Sequence, residues 1–523
     1  MRGHFMPRTD FDIFIIGGGI NGCGIARDAA GRGLKVGLAE MNDLASATSS
    51  ASTKLFHGGL RYLEFFEFRL VKEALIERER LLRAMPHISW PMRFILPYHK
   101  DTRFEGTTPT SKMLSMIMPW MKGRRPAWLI RLGLFLYDNL GRGDLLPKTG
   151  KLDLSKAVEG EPLKDKFQMA YEYSDCWIED SRLVVLNARD AQERGASIYT
   201  RTKVVSAQRH DDFWEVVLEG AINQTITTKS FVNAGGPLVE DIIRSKVKQN
   251  TSESVRLVKG SHIVVPKLFQ HEKCYFLQGE DGRIIFAIPY QTDFTLIGTT
   301  DADHTDPDIR PVCSHEEKDY LCTFASNYFK KTVSTDDIVW SYSGVRPLYD
   351  DGASTATQAT RDYVLSLDDT AAPILNIFGG KITTYRMLAE HAMEKFREVI
   401  PNLAPSWTAG VSLPGGDFPV DGYEDLCADI ADHYEFLPKA WTERLVRAYG
   451  TETYDIFGTA KELPDLGQDF GHTLTACEVS WLMDREYAQT SEDVLWRRSK
   501  LGLRLNKQDV IALDAFMLKG ASN

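Results

Sequence analysis

The sequence predicts an α/β fold combined with α+β, in the form of a Rossmann-like domain, an antiparallel-sheet domain and a C-terminal helical domain. Three observations predict it. A strand, glycine turn, helix and second strand open the chain, residues 256–345 are rich in short strand signals, and the pattern from Tyr423 onward is helical. With 523 residues, 43% of them apolar, the chain is long enough for two to four domains with substantial cores.

The first element is a βαβ unit with a G-x-G-x-x-G turn. The apolar run Phe11–Ile16 leads into Gly17-Gly18-Gly19-Ile20-Asn21-Gly22. In such a turn the first glycine permits the tight bend, the second lets the backbone approach a pyrophosphate, and the third lets the helix pack on the strand. Glu40 ends the second strand, where a carboxylate can accept hydrogen bonds from ribose hydroxyls. The unit predicts a dinucleotide site, against the alternative of a glycine-rich turn that binds no ligand.

The segments that follow favour FAD over NAD. A run of small hydroxyl residues, Thr48–Thr53, comes soon after Glu40, and a second glycine turn, Gly379-Gly380, leads into a predicted helix 386–399. A cofactor that reaches two helix N-termini, one at its pyrophosphate and one at its flavin ring, is longer than NAD requires. Small residues at Ala234 and Gly235 also suit a backbone that crosses close to a dinucleotide.

Several longer motifs carry a family resemblance. They are IIGGGINGCGIARDAAGRGLKVGLAE, TSSASTKLFHGGLRYLE, YSDCWIEDSRLVVLNA, KGSHIVVP, IGTTD, YSGVRPL, TRDY and FGGKITTYR, with DLGQDFGH and LWRRSK near the C-terminus. The chain resembles the FAD-dependent glycerol-3-phosphate dehydrogenases of the respiratory, membrane-associated kind. The resemblance implies oxidation of sn-glycerol 3-phosphate to dihydroxyacetone phosphate, with electrons passed through FAD to a membrane quinone.

The residues expected to contact FAD lie in the two glycine turns and in the segments between them. They are Gly17, Gly19, Ile20, Asn21, Gly22, Glu40, Thr48, Ser49, Ser50, Leu55, His57, Val204, Ala234, Gly235, Gly380, Lys381, Ile382 and Thr383.

A phosphorylated substrate calls for guanidinium groups, which bind phosphate oxygens in a planar, bidentate way. Three arginines stand in family-like motifs: Arg61 in HGGLRY, Arg346 in SGVRPL and Arg361 in TRDY. Tyr62 can add a hydrogen bond to the phosphate. The resemblance places these four residues at the substrate pocket, although each arginine by itself is more often a surface residue.

Oxidation of a secondary alcohol requires a group that takes the hydroxyl proton while hydride leaves the carbon. His57, in a glycine-flanked turn, is the first candidate, and His262 in KGSHIVVP is the second. Lys381 follows the second glycine turn and can stabilise negative charge on the substrate oxygen or the reduced flavin. Together with Arg346, these residues form the predicted catalytic set, and Asp301 can orient one of them or cap a turn.

Composition excludes several classes. A net charge of −10 argues against a general nucleic-acid binder. Seven cysteines are scattered without a CxxC motif or metal-ligand spacing, so we expect no metal and a reducing, cytosolic setting. Residues 1–10 lack the apolar region of a signal peptide, and no apolar stretch is long enough to span a bilayer.

Residues 112–140 are unusual for a soluble enzyme, because Met, Trp, Leu and Phe alternate with Lys122, Arg124, Arg125 and Arg131. This combination suits a helix that lies in an anionic membrane interface. The alternative is a buried helix whose arginines extend to solvent. With the resemblance, it predicts a peripheral protein on the cytoplasmic face of the inner membrane.

The expected domains are an FAD-binding domain from residues 10–255 and 346–405, a substrate-binding cap of residues 256–345, and a helical domain of residues 410–523. The FAD-binding domain would carry a membrane-interacting insertion near residues 100–140. A homodimer is compatible with the sequence, which does not fix the oligomeric state.

Three other functions stay open at this point. A glycerol-3-phosphate oxidase would use O2 in place of quinone and share the substrate site. An amine or amino-acid oxidase of the same broad fold would need one arginine for a carboxylate. A flavin-binding sensor would show no turnover.

Overall fold

The structure is a computed structural model of the chain. It describes residues 9–99, 109–110, 113, 116, 127–141, 143, 145–251, 253–279, 283–350 and 362–520. The strands are β1 Phe11–Ile16, β2 Val36–Ala39, β3 Leu55–Phe56, β4 Ser89–Tyr98, β5 Gly150–Asp153, β6 Met169–Ile178, β7 Ser197–Tyr199, β8 Thr202–Arg209, β9 Trp214–Gly220, β10 Gln224–Asn233, β11 Val255–Pro266, β12 Cys274–Gln278, β13 Ile284–Tyr290, β14 Phe294–Gly298, β15 Ala302–Asp303, β16 Trp340–Tyr349, β17 Val364–Asp368 and β18 Ile374–Phe378. The helices are α1 Ile20–Gly31, α2 Phe68–Ala84, α3 Ala127–Leu140, α4 Asp180–Glu193, α5 Val239–Asp241, α6 His315–Tyr328, α7 Tyr385–Phe396, α8 Tyr423–His433, α9 Lys439–Tyr449, α10 Thr453–Phe457, α11 Ala476–Glu486 and α12 Lys507–Gly520.

The first sheet has a parallel centre, in the order β17-β18-β10-β1-β2-β7, and the β8–β9 hairpin extends from β10. Strand β1 is apolar on both faces because helices cover one side of the sheet and the hairpin packs against the other. Helix α1 packs against α4 and α7 in one apolar core. The carboxyl ends of β1, β2, β10 and β18 therefore meet at one edge, which is where a dinucleotide binds in open α/β sheets.

The second sheet has the order β15-β11-β14-β13-β12-β4-β6-β3, with β16 paired to β11 and β5 paired to β6. Its pairs are antiparallel except β12 with β4. The predicted cap range, 256–345, is too narrow for this sheet, since β3 to β6 come from earlier in the chain and β16 runs on to Tyr349. Strand pairing across such sequence separations leaves no local signal, because each strand shows only its own alternation of side chains.

The C-terminal region forms a separate helical unit with its own apolar core. Helices α8 to α12 bury residues such as Ile430, Leu445, Leu482 and Leu513 against one another. The predicted fold class, with its parallel-sheet, antiparallel-sheet and helical parts, is confirmed.

The seven cysteines are all free thiols. Within the ranges described above, the structure contains no cluster of His, Cys, Asp and Glu side chains that could hold a metal ion. The helices seen in those ranges also fall short of the combined length and apolar character that crossing a bilayer requires.

Candidate active site

The glycine turn after β1 separates glycines that the fold needs from one that leaves space. Gly17 has a φ of +109°, and an added Cβ there would lie 2.4 Å from the Ala234 carbonyl oxygen. A Cβ on Gly22 would lie 2.0 Å from the Gly17 oxygen, so this glycine permits the close packing of α1 on β1. Gly19 has an ordinary φ of −83°, and its nearest neighbour, Ser49 Oγ, would be 3.2 Å from a Cβ. The fold itself does not require a glycine at position 19. A glycine there lets the backbone come close to a bound ligand.

Glu40 lies at the end of β2, beside this turn. Its Oε2 accepts a hydrogen bond from the Gly18 amide at 2.7 Å, and its Oε1 accepts one from the Asn42 amide at 2.9 Å. Burial raises the pKa of Glu40, while the two amide donors favour the charged form. The carboxylate is therefore held in one orientation at the edge of the sheet, as a ribose-binding group must be.

The second glycine turn meets the first. Gly379 and Gly380 follow β18 with φ of +78° and +107°, and the Asn21 side-chain amide donates to the Gly379 carbonyl at 3.2 Å. The Asn21 Oδ1 is buried and accepts no hydrogen bond from the described residues. Thr383, just beyond the turn, accepts a hydrogen bond through Oγ1 from the His57 amide at 3.4 Å. The predicted flavin-side and pyrophosphate-side segments are thus in contact.

One cavity of about 730 Å³ runs between the two turns and under the second sheet. Most of the predicted residues line it: Gly17, Gly19, Ile20, Asn21, Glu40, Thr48, Ser49, Leu55, His57, Tyr62, Val204, Ala234, Gly235, His262, Arg346, Gly380, Lys381, Ile382 and Thr383.

Four predicted residues are not in that lining. Gly22 has the packing role described above, and Ser50 Oγ donates to the Ala47 carbonyl at 3.3 Å. Arg61 is half-buried and is not among the described residues that line the cavity. Arg361 lies outside the described residues. Of the three motif arginines, the structure therefore brings Arg346 to the cavity wall.

Arg346 is oriented by partners on a neighbouring segment. It lies on β16 opposite Val258 of β11, where its Nη2 donates to Thr299 Oγ1 at 3.0 Å and its Nη1 pairs with Asp301. Asp301 therefore holds the guanidinium of Arg346, as the first of the two roles expected for it requires, and its part in function stays a prediction. A guanidinium held on one side keeps its remaining N–H groups for an anion in the cavity.

His262 is buried on β11 beside the same cavity. Its Nε2 lies 3.0 Å from Thr53 Oγ1, and its ring stacks on Tyr342 with centroids 4.8 Å apart. Burial lowers the pKa of His262 well below its ordinary value, and the charges of Arg346 and Lys54 lower it further. The imidazole is consequently neutral near pH 7 and able to accept a proton, with reduced basicity.

Lys381 is placed over an aromatic ring. Its Nζ lies 4.1 Å from the centroid of the Tyr62 ring, and both side chains line the cavity. A cation–π contact of this kind keeps an ammonium group at the ligand site while its hydrogens stay free to turn.

The cavity also has basic residues that the motifs did not indicate: Arg201, Lys203, Lys246, Arg310 and Arg497. The sequence predicted substrate-binding roles only for the arginines that the family resemblance places at the substrate pocket. Arg497 is part of LWRRSK, a family-like motif without a predicted role.

Comparison with known proteins identifies the class. The family model for FAD dependent oxidoreductases matches residues 12–386, and a model for the C-terminal domain of alpha-glycerophosphate oxidase matches residues 406–517. The chain is 45% identical over 511 residues to a glycerol-3-phosphate dehydrogenase of Pseudomonas aeruginosa, covering 97% of this chain and 95% of that one. It belongs to the FAD-dependent glycerol-3-phosphate dehydrogenase family.

One further relative by sequence and one solved structure are similar to this chain. The chain is 47% identical over 504 residues to a D-erythritol 1-phosphate dehydrogenase of Brucella abortus, covering 95% of this chain and 96% of that one. The solved glycerol-3-phosphate dehydrogenase of Bacillus halodurans, a complex with FAD, superposes with a TM-score of 0.71 at 26% identity, covering 99% of this chain and 91% of that one. The predicted family, the oxidoreductase class and FAD as cofactor are confirmed.

The glycine geometry gives a direct test of how the family cofactor is held. Gly19→Val should release FAD while the fold is kept, because the added side chain enters the cavity and not the protein interior. FAD per chain after gel filtration, measured by absorbance, reports the loss. Gly410→Val is the matched control, since a Cβ there meets nothing within 4 Å. Full FAD occupancy in Gly19→Val would show that the pyrophosphate does not pass this glycine.

Proposed function

We propose that this protein oxidises sn-glycerol 3-phosphate to dihydroxyacetone phosphate and passes the electrons to a membrane quinone. The observation that carries the proposal is one cavity lined by both dinucleotide turns, by the oriented guanidinium of Arg346 and by two histidines, His57 and His262. The 45% identity to a glycerol-3-phosphate dehydrogenase over nearly the whole chain supports the same substrate.

A second candidate substrate is D-erythritol 1-phosphate, which the 47% identical relative is named for. Both compounds are phosphomonoesters of polyols with secondary alcohols, so the same cation and the same proton acceptor serve either one. Of the three arginines predicted to bind the substrate, Arg346 alone is a described residue that lines the cavity, so the number of these arginines does not distinguish phosphate from carboxylate substrates. The family models and the relatives favour the phosphate.

The chain's residues divide the reaction between them. Bound FAD supplies the hydride acceptor. Arg346 binds the phosphate through the N–H groups that Asp301 and Thr299 leave unused. His57, or in its place His262, takes the hydroxyl proton as the carbon–hydrogen bond breaks, and Lys381 stabilises the negative charge that develops.

Anaerobic bleaching of the flavin tests this function directly. We expect glycerol 3-phosphate, D-erythritol 1-phosphate or both to bleach the flavin absorbance, and glycerol or an amino acid to leave it unchanged at equal concentration. Reoxidation of the bleached protein then identifies the acceptor, with quinone faster than O2 if the protein is a dehydrogenase. Bleaching by amino acids alone, or no bleaching at all, would contradict the proposal.

The surface of helix α3 supports a peripheral position on a membrane, for which the family resemblance implies the cytoplasmic face of the inner membrane. One side of the helix buries Ile130, Leu134 and Tyr137, as the buried-helix alternative requires. The opposite side exposes Trp128 at 54% and Phe135 at 60%, together with Leu132. A helix with apolar side chains on both its inner and its outer face needs a second apolar environment, which a bilayer interface supplies.

The same helix approaches the active site, which favours quinone as the acceptor. Tyr137 Oη on the inner face accepts a hydrogen bond from the Gly58 amide at 2.7 Å, directly after His57. Docking of the outer face would therefore bring the cavity close to the bilayer, where a lipid-soluble acceptor resides. Lys122, Arg124 and Arg125, whose charges predict the same interface, lie outside the described residues.

Substitutions in this segment should uncouple membrane binding from chemistry. Phe135→Ser with Trp128→Ser should reduce binding to anionic vesicles and quinone-coupled turnover, because the apolar contribution is removed. Charge reversal at Arg124 and Arg125 should do the same and remove the salt-sensitive part, about 1 kcal/mol per basic residue. Vesicle sedimentation, at low and high salt and with mild detergent, measures both parts.

Activity with a soluble dye acceptor is the internal control and should stay at the parent level in these variants. Ile511→Ser provides the matched substitution, since Ile511 is 67% exposed on a C-terminal helix. Parent-like vesicle binding in the double variant, or an equal loss of dye activity, would place residues 112–140 outside any membrane contact.

A further inference from the structure

The motif LWRRSK, which the mechanism does not use, lies against the cofactor site. Residues Asp493–Arg498 form a short π-helical segment of the C-terminal domain, and Lys500 follows it. We propose that this segment, called here the clamp (residues 493–500), is a positioning element that fixes the FAD-binding loop 41–47 and thereby sets the affinity for FAD. The inference rests on the FAD site and is independent of the substrate proposal.

The clamp contacts Asp43, which is 2% exposed. Arg498 Nη1 and Nη2 bind the two carboxylate oxygens of Asp43 at 2.7 Å each, and Arg497 Nε binds Oδ2 at 2.5 Å. Arg498 also donates to the Glu486 carbonyl at 2.9 Å, so its guanidinium is fixed from both sides. A buried carboxylate held by two arginines has little freedom of position.

Asp43 belongs to the loop that shapes the ribose end of the cavity. The loop follows Glu40, and Met41, Asn42 and Asp43 all line the cavity. It has no helix or strand of its own before residue 48, and its contact with the glycine turn is the Ala45 amide donating to the Gly18 carbonyl at 3.1 Å. Leu44 and Ala45 are buried in the apolar core, and the ion pairs of Asp43 fix the part of the loop that faces the cavity.

The clamp holds a second cavity wall through Asp493. Asp493 Oδ2 accepts from Arg201 Nη2 at 2.6 Å, and the Arg201 amide donates to the Asn42 carbonyl at 2.8 Å. Arg201 itself lines the cavity, as do Glu492 and Arg497 of the C-terminal domain. The clamp therefore holds the cavity-lining side chains of Asp43 and Arg201 and contributes that of Arg497.

Two further contacts extend the clamp to the flavin side. Trp496 stacks on Trp340 with centroids 4.5 Å apart, and Trp340 begins β16, the strand that carries Arg346. Lys500 Nζ donates to Ser181 Oγ at 3.3 Å, next to Asp180. Asp180 in turn accepts from Ser52 Oγ at 2.7 Å, and Ser52 lines the cavity.

Because of these contacts, FAD binding and the packing of the C-terminal domain against the FAD-binding domain should strengthen each other. If the docked clamp favours the FAD-binding shape of loop 41–47, bound FAD must favour docking by the same factor. Buried ion pairs contribute little net stability compared with apolar packing, but they fix geometry, and the loss of one partner leaves a buried charge unpaired. A positioning role explains why four charged residues are buried where the clamp meets the FAD-binding domain: Asp43, Asp493, Arg498 and Lys500.

The test is the dissociation constant of FAD, measured by flavin fluorescence on apoprotein to which FAD is added back. We expect Arg498→Met to weaken FAD at least about 10-fold, Arg498→Lys to weaken it less, and Asp43→Asn to resemble Arg498→Met. The double variant Arg498→Met with Asp43→Asn should bind FAD no more weakly than the weaker-binding single variant, since both substitutions break the Arg498–Asp43 pair. Arg497→Gln, at a less buried position, supplies the readout if Arg498→Met does not fold.

Arg444→Met is the matched control. Arg444 pairs with the buried carboxylate of Glu478 at 2.6 Å inside the C-terminal domain, its own side chain is 20% exposed, and neither residue lines the cavity. It should lower the stability of that domain and leave the FAD dissociation constant within about twofold. In the parent, FAD should also slow proteolysis of residues 405–410, which join the FAD-binding and helical domains and are largely exposed, and Arg498→Met should abolish that protection. Unchanged FAD affinity in Arg498→Met and Arg497→Gln, or an equal loss in Arg444→Met, would overturn the proposal.

Discussion

Replacing His57 by alanine is expected to slow flavin reduction roughly 10²- to 10⁴-fold, the usual contribution of a positioned general base. The residue lines the cavity and is tied to the second glycine turn by its amide, which donates to Thr383 Oγ1 at 3.4 Å. Glycerol 3-phosphate should still bind, because the proposed phosphate contact is Arg346. Stopped-flow reduction under anaerobic conditions separates the rate of reduction from substrate affinity, and His433→Ala, at an exposed position, is the control.

The pH dependence distinguishes the two histidines. A base must be unprotonated, so the rate of reduction falls as pH drops below its pKa. Because burial lowers the pKa of His262 well below its ordinary value, a His262 base would show its acidic limb far below about pH 6.5, the ordinary histidine value. An acidic limb that disappears in His57→Ala assigns the role to His57. Normal reduction in His57→Ala, with impaired reduction in His262→Ala, would move it to His262.

Replacing Arg346 by alanine is the second large effect that we expect. Removing a charge-assisted hydrogen bond from a closed pocket costs on the order of 2–4 kcal/mol, roughly a 30- to 1,000-fold decrease in kcat/KM for glycerol 3-phosphate. The variant also leaves Asp301 without its guanidinium partner, so part of the decrease comes from a negative charge that then faces the phosphate. Unphosphorylated glycerol, which lacks the dianion, should be affected far less.

Two further variants separate the loss of the Arg346 guanidinium from the loss of its anchor and from the loss of an unrelated arginine. Asp301→Asn keeps the arginine and removes its anchor, so it should weaken the phosphorylated substrate less than Arg346→Ala does. Arg209→Ala removes a half-buried arginine that does not line the cavity and is paired with Asp368 at 2.7 Å, and it should leave kcat/KM unchanged. Equal decreases for glycerol 3-phosphate and glycerol in Arg346→Ala would remove Arg346 from the phosphate site.

The cofactor class was determined by the sequence alone. Three local patterns indicated it: the G-x-G-x-x-G turn, Glu40 at the end of the next strand, and the second glycine turn. Each of them is complete within a few consecutive residues. Gly17, for example, needs a positive φ, and Gly22 needs the absence of a Cβ, so the amino-acid type itself carries the information. The family motifs extended this to a substrate class because they are equally local.

The tertiary structure alone decided which of the predicted side chains share a cavity. Arg346 and Asp301 are brought together by strand pairing, the lowered pKa of His262 follows from its burial on a strand of the second sheet, and Arg61 proved not to line the cavity. The extent of the second sheet and the contact of Arg498 with Asp43 join segments hundreds of residues apart. Contacts of this kind depend on packing between distant elements, and neither partner carries a local signal of the other.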